Sequence, residues 1–184
     1  MKSLLACTGL LIAAATLSAQ TPAPKPPPKS PAATESATID GKTITITYSS
    51  PGVKGREGKL FTKDGQIGHD PTYPVWRAGA NAATKLHTEA DLEIGSLAVP
   101  KGDYTLYVDV SNPDSWVLVV NVQTGQWGTV YDKAKDLGRV PMKMTKPGET
   151  IENLKYSLAG THGSHGTLTL AWENHIASVP FTVK

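Results

Sequence analysis

Residues 104–110 read YTLYVDV, and apolar side chains at every second position alternate with the residues between them. A period of two is typical of a β-strand with one buried face. A continuous apolar run at residues 117–120 predicts a strand that is buried on both faces. Residues 176–183 predict a closing strand, and Pro180 indicates that this strand lies at a sheet edge. The alternation seen at 104–110 recurs at residues 43–48, 140–144, 154–158 and 167–172.

Glycine and proline punctuate these stretches and indicate turns. No window of a dozen residues has a helical period, and residues 132–137 allow at most one short helical turn. We therefore predict an all-β domain, a two-sheet β-sandwich of jelly-roll or immunoglobulin-like type with eight to nine short strands. Residues 49–75 form a long irregular segment, and such segments in compact domains are often functional.

The N-terminus has the order of a secretory signal peptide: Lys2, an uncharged apolar stretch at 4–17, and small residues before residue 20. The stretch is shorter than the roughly 20 residues that span a bilayer, which argues against a retained anchor. We predict a signal peptide at 1–19, a proline-rich disordered linker at 20–37 and one domain at 38–184. The expected location is periplasmic or secreted, with no transmembrane segment after cleavage.

The formal net charge is +2, and three lysines precede the first acidic residue, Glu35. Removing these three charges leaves residues 35–184 at −1. There is no basic cluster in the sequence, so nucleic acid is not an expected partner. The one cysteine, Cys7, lies in the predicted signal peptide. The mature domain is therefore expected to have no disulfide, no thiol nucleophile and no cysteine metal ligand. We also expect no metal and no cofactor.

Several separate motifs together resemble those of a known family. They are Tyr48-Ser49-Ser50-Pro51 with Gly55-Arg56, Trp76-Arg77 with Gly79-Ala80-Asn81 and Thr84, residues 97–106, Gln126-Trp127-Gly128, and residues 170–174. The family is domain of unknown function 2911 (DUF2911), a set of exported bacterial domains, and the likeness covers about residues 38–184. The resemblance implies an exported, β-sandwich-like domain. It implies no reaction, because the family has no assigned activity.

The most distinctive stretch, VWRAGANAAT at residues 75–84, contains three candidate ligand-binding residues. The fork of Arg77 could bind a carboxylate or phosphate at two points. Asn81 offers a donor and an acceptor, and Trp76 could stack on a sugar ring or an apolar ligand. Arg56 could add a second positive group. Structural roles are the alternative: Arg77 could pin the long segment through backbone carbonyls, Asn81 could cap a turn and Trp76 could lie in the core.

Glu173 follows the last apolar alternation, on the face opposite Trp172, which predicts an exposed or sheet-edge carboxylate. In an open cleft, Glu173 could act as an acid or a base. The alternative is a solvated strand end, or a structural pair with Arg77 or Arg56. A single carboxylate is one short of the pair that glycoside hydrolysis usually needs.

His162 and His165 lie three residues apart, and His175 lies one strand later. Neutral imidazole is a good ligand for zinc or copper. However, residues 160–166 also form a glycine-rich hairpin signal, and no third or fourth ligand is evident. We predict a turn here rather than a metal site.

The sequence lacks the common catalytic motifs, so a binding protein is favoured over an enzyme. We predict a binding module for a glycan or a small anionic ligand. One alternative is a hydrolase-like enzyme that uses Glu173 with Arg77 and Asn81. Another is a structural or envelope-interaction domain with no pocket. The candidate ligand-binding residues are Arg56, Trp76, Arg77, Asn81 and Glu173.

Overall fold

The structure, a computed structural model, describes residues 29–184. The predicted signal peptide at 1–19 and the first part of the predicted linker, residues 20–28, lie outside this range. In chain order, the strands are β1 (Ala32–Ile39), β2 (Lys42–Ser49), β3 (Val75–Trp76), β4 (Thr84–Thr88), β5 (Leu92–Ile94), β6 (Leu97–Val99), β7 (Gly102–Asp109), β8 (Val117–Asn121), β9 (Asp136–Pro141), β10 (Lys143–Thr145), β11 (Ile151–His162), β12 (His165–Glu173) and β13 (His175–Val183).

These strands form two antiparallel sheets within residues 29–184. The first sheet has the order β1-β2-β4-β7-β8-β9, and β3 pairs with the end of β7. The second has the order β11-β12-β13-β5-β6, and β10 pairs with the start of β13. The predicted all-β, two-sheet sandwich is confirmed. There are more strands than the eight to nine predicted because β3, β5, β6 and β10 are only two or three residues long.

Alternation along the strands produces the core between the sheets. Ile44 and Ile46 of β2 are buried, whereas Thr47 beside them is exposed. On the other sheet, Leu168 and Leu170 of β12 are buried in the same hydrophobic cluster. The inward faces of both sheets thus exclude water from one continuous apolar interior, which is the main favourable term in folding.

The centre of the first sheet is buried on both faces. Tyr107 of β7 lies opposite Val119 of β8, and both side chains are fully buried in a second, smaller cluster on the outer face. Tyr131, from the loop that follows β8, packs against this cluster. The strand predicted from the apolar run at 117–120 is therefore confirmed, with both faces covered.

The first strand corrects the expected domain boundary. β1 pairs with β2 over its whole length, from Ala32 opposite Ser49 to Ile39 opposite Lys42. Residues 32–37 therefore belong to the sandwich and not to a disordered linker. Small and β-branched residues in this stretch suit a strand at the sheet edge, where few large side chains are needed.

Pro180 does not mark an edge strand, because β13 lies between β12 on one side and β5 and β10 on the other. β10 pairs with residues 176–178 of β13, and β5 pairs with residues 181–183. Pro180 lies in the gap between these partners, and its carbonyl accepts from the backbone N–H of Gly95. In an antiparallel strand, the N–H and the C=O of a residue point to the same side. Proline has no N–H, and at position 180 none is needed, because no strand of residues 29–184 pairs with β13 at this point on that side.

Helical structure in the described range is limited to one 3₁₀ turn, Lys133–Lys135, inside the predicted helical turn at 132–137. No helix in residues 29–184 is long and apolar enough to cross a membrane.

The long segment, residues 50–74, has no regular strand but is anchored in the sandwich. Val53, Leu60 and Ile67 are buried in the main core. Phe61 lies among the core aromatic rings, with its ring centre 5.5 Å from that of Trp76. The segment is therefore held by apolar burial at intervals along its length, and its position relative to β3 and β12 is fixed.

The inward alternation predicts a sharp contrast between two neighbouring residues of β2. Ile46→Ala should lower the free energy of unfolding by about 2–5 kcal/mol, because it leaves a cavity in the core. Thr47→Ala, one position along, should change it by less than about 0.5 kcal/mol. Denaturant unfolding of the two variants measures both values. Similar losses for both would contradict the register described above.

Candidate functional site

A cavity of about 380 Å³ lies between the long segment and the residues that follow β3. Residues 29–30 form one part of its wall, and Gly79 and Ala80 form another. Pro51 and Ile67 of the long segment contribute apolar surface. The cavity thus lies where the most distinctive stretch of the sequence meets its longest irregular segment.

The lining of this cavity is unequal in charge. Lys29, Lys54, Arg56 and Arg77 line it, and Asp70 is the one acidic residue among its described lining residues. We call it the cation-lined cavity. Clefts lined by one sign of charge concentrate ligands of the opposite sign. The arrangement therefore favours an anion.

Arg77 joins the wall of the cavity to the long segment. Its Nη2 donates to Asp70 Oδ2 at 2.9 Å, and the carboxylate is only 2% exposed. Asp70 Oδ1 accepts from the backbone N–H and the hydroxyl of Thr72. Arg77 therefore pins the long segment through a buried carboxylate, rather than through backbone carbonyls as the structural alternative expected.

The guanidinium of Arg77 keeps unused hydrogen-bonding capacity. Its Nε and Nη1 are buried and have no hydrogen-bond partner in residues 29–184. A buried donor without an acceptor costs about 1–3 kcal/mol.

Arg56 binds its own segment. Nε donates to the Val53 carbonyl at 2.8 Å, Nη2 donates to the Gly52 carbonyl at 2.8 Å, and Nη1 donates to Gln66 Oε1. Arg56 thus has the loop-pinning role that the sequence suggested for Arg77. Its side chain is partly exposed and lines the cavity, so its charge still contributes there.

Trp76 is fully buried in the core. Its ring stacks on Trp172 at 5.8 Å with an interplanar angle of 21°, and Nε1 donates to the Gly79 carbonyl at 3.3 Å. Both rings border the cavity. Because Trp76 has no exposed face in this structure, it forms part of the boundary and is not placed to stack on a sugar ring.

Asn81 is outside the lining of the cavity. Its backbone has φ +61°, a conformation that asparagine tolerates better than most residues. The side-chain Nδ2 lies 3.4 Å from the Ser30 carbonyl and 3.4 Å from Ser49 Oγ, while the backbone carbonyl accepts from Gly128 N–H at 3.0 Å. Asn81 therefore shapes the turn and contacts the N-terminal residues that form one wall of the cavity.

Glu173 is buried, so the prediction of an exposed or sheet-edge carboxylate is wrong. It lies in the tight turn between β12 and β13 with φ +53°, where the alternation of the strand no longer fixes the direction of the side chain. Its Oε1 accepts from the backbone N–H of Gly58 at 2.7 Å. Within the described range it pairs with neither Arg77 nor Arg56, and it does not line the cavity.

The histidine-containing segment forms the predicted tight turn. His162 lies opposite His165 across the end of the β11–β12 hairpin, and Gly163 has φ +56°. His175 pairs with Trp172, seven residues along β12 from His165, which is about 23 Å at the usual rise per residue. The three imidazoles therefore do not come together. In residues 29–184, no group of three or more His, Cys, Asp or Glu is arranged to hold a metal ion.

Sequence reasoning did not identify Asp70 or Lys54, and it named Gly128 only as part of the motif Gln126-Trp127-Gly128. Nothing in the sequence near Asp70 or Lys54 sets them apart from the other charged residues of the long segment. Gly128 carried a signal, since a glycine beside Trp127 in a loop often marks a close backbone approach. A Cβ at residue 128 would collide with Arg77 Cδ and would lie 2.7 Å from the Asn81 carbonyl oxygen.

Comparison with known proteins gives a family and nothing further. A family model described as "Protein of unknown function (DUF2911)" matches residues 30–181. No curated protein and no solved structure matches the chain. The match covers most of the chain, and the chain therefore belongs to this family.

The close approach of Gly128 to Arg77 predicts that even a methyl group there is costly. Gly128→Ala should lower the free energy of unfolding by about 1–3 kcal/mol, because neither the Arg77 stem nor the backbone beside it can move freely. Gly148→Ala is the matched control: its Cβ would meet nothing within 4 Å. The control should change stability by less than about 0.5 kcal/mol. Chemical denaturation compares the two, and equal stabilities would show that the contact is not as tight as described.

Proposed function

We propose that this member of the DUF2911 family is a binding module that takes a small anionic ligand into the cation-lined cavity. The observation that carries the proposal is the imbalance of charge in the lining. Among the described lining residues, four side chains are cationic, and the one carboxylate, Asp70, is already bound to Arg77 and Thr72. A carboxylate or phosphate of a ligand would supply the missing negative charge and hydrogen-bond acceptors.

The size and surface of the cavity suit a small organic anion. Its volume is near the lower end of the roughly 300–1,000 Å³ that is usual for ligand sites. Pro51, Ile67 and Ala80 supply apolar surface next to the cations. A ligand with an anionic group and a short carbon skeleton would contact both kinds of surface.

Lys54 is the cation most available to such a ligand. Its Nζ makes one hydrogen bond within the described range, to the Lys29 carbonyl at 3.0 Å, and its side chain is exposed. An ammonium group has three donors, so two remain for a ligand. Arg56 and Arg77, in contrast, also hold the long segment in place.

The other functions considered from the sequence receive less support. An uncharged glycan usually needs an exposed aromatic face, and the two tryptophans that border the cavity are buried. A hydrolase would need Glu173 at the cavity, but that carboxylate accepts from the backbone N–H of Gly58 and does not line the cavity. A purely structural domain would not need an unequal distribution of charge around a cavity. We also propose, from the predicted signal peptide, that the protein acts in the periplasm or outside the cell.

Calorimetric titration with citrate, glucuronate and inorganic phosphate, at constant ionic strength, tests the proposal. We expect at least one of these anions to bind saturably at one site per chain, and glucose, the uncharged control, to show no binding. Lys54→Met should weaken the binding roughly three- to tenfold, as expected for the loss of one partly exposed charge–charge contact.

Lys59→Met is the matched control, because Lys59 belongs to the same long segment and is exposed but does not line the cavity. It should leave the affinity unchanged. Absence of binding by all three anions would overturn the proposal. An equal loss of affinity in Lys54→Met and Lys59→Met would do the same, since it would reflect overall charge and not the cavity.

A further inference from the structure

A second cavity, of about 300 Å³, lies at the turn between β12 and β13. It shares no lining residue with the cation-lined cavity. Met144 and Pro113 give it apolar surface. Its polar lining residues are Asp114, Thr145, Lys146, Asn174 and His175.

The imidazole of His175 is held in one orientation by its neighbours. It stacks on the ring of Trp116 at 5.0 Å with an interplanar angle of 15°. Phe61 meets it edge to face at 4.8 Å. On a third side, its Nδ1 lies 3.4 Å from Glu173 Oε2. A titratable side chain fixed in this way is unusual for a residue at the surface end of a strand.

The two ring nitrogens have different surroundings. Nδ1 is buried beside the Glu173 carboxylate, without the alignment of a hydrogen bond. Nε2 makes no hydrogen bond to the described residues either, but it is not among the buried atoms, and the side chain is 22% exposed. A proton on Nδ1 is favoured by the nearby carboxylate. Nε2 is then the lone-pair nitrogen, and its residue lines the second cavity.

Burial of the ring favours the neutral form of His175. Burial of the ring lowers the pKa of His175, and the Lys146 ammonium acts in the same direction, while Glu173 opposes them. Asp114 is the remaining charged residue of the lining. At pH 7 the ring is therefore neutral, and Nε2 can accept a hydrogen bond.

Lys146 supplies a cation next to this acceptor. It is exposed and makes no ion pair with residues in the described range. Asn174 Oδ1 accepts from the Thr150 hydroxyl, which leaves the side-chain amide hydrogens of Asn174 unused. Among the described residues, the lining therefore combines the Lys146 ammonium, the Asn174 amide and the His175 ring with the Asp114 carboxylate and the Thr145 hydroxyl.

We propose that the second cavity binds a hydroxylated carboxylate, with the carboxylate on Lys146 and a hydroxyl group donating to Nε2 of His175. The two contacts are complementary, because an ammonium group can only donate and a neutral imidazole nitrogen that lacks a proton can only accept. A simple carboxylate would make the first contact alone, and an uncharged polyol the second alone. Met144 and Pro113 contact the carbon skeleton.

Nuclear magnetic resonance titration of the His175 ring tests this proposal with gluconate as the probe. We expect gluconate to shift the His175 Cε1–H resonance saturably at pH 7. Acetate, which lacks the hydroxyl groups, and sorbitol, which lacks the charge, should each bind at least tenfold more weakly.

Lys146→Met should weaken gluconate binding about tenfold. Lys143→Met is the matched control, since Lys143 is exposed on β10 but does not line the cavity. It should bind gluconate as the parent does. The proposal fails if the His175 resonance does not respond to gluconate, if acetate or sorbitol binds equally well, or if Lys143→Met loses as much affinity as Lys146→Met. Because the two cavities share no residue, Lys54→Met should leave this response intact.

Discussion

The ion pair between Arg77 and Asp70 joins the long segment to the sandwich and shapes the cation-lined cavity. Burying two charges costs several kcal/mol per ion, and a buried pair is stable only when other hydrogen bonds satisfy the remaining groups. Asp70 meets this condition through Thr72. Arg77 meets it in part, because Nε and Nη1 have no partner in the described range. Arg77 therefore has the structural role considered for it from the sequence, with the buried Asp70 carboxylate as its partner.

Aromatic packing fixes the rest of the long segment and separates the two cavities. Phe61 contacts Trp172, which borders the cation-lined cavity, at 5.7 Å. It contacts His175, which lines the second cavity, at 4.8 Å. Glu173 Oε1 accepts a hydrogen bond from the backbone N–H of Gly58 in the same segment. Both candidate sites thus border the same cluster of aromatic rings.

The periodic strands could be predicted from the sequence, whereas the direction of a side chain in a single turn could not. A period of two is a property of many residues, so the strands at 43–48, 104–110 and 167–172 were evident. β1 was missed because its small residues follow a proline-rich stretch and give a weak pattern. Glu173 was placed on the wrong side because one residue with positive φ ends the alternation.

The residues of the candidate site were also only partly predictable from the sequence. Arg56 and Arg77 were found from their motifs, and both line the cation-lined cavity. Lys54 and Asp70 were not found, because their importance comes from contacts across the chain: Lys54 with Lys29, and Asp70 with Arg77. These contacts depend on the path of the long segment. That path could not be predicted, because the sequence of the segment has no regular apolar pattern.

The stability of Arg77→Lys tests most directly whether this ion pair organises the site. Lysine keeps the charge but lacks the planar guanidinium group of arginine. That group pairs with Asp70, and the Arg77 side chain packs closely against Gly128. We expect the free energy of unfolding to fall by about 1–3 kcal/mol, since the buried carboxylate loses a well-placed donor. An Arg77→Lys variant as stable as the parent in denaturant unfolding would contradict the account.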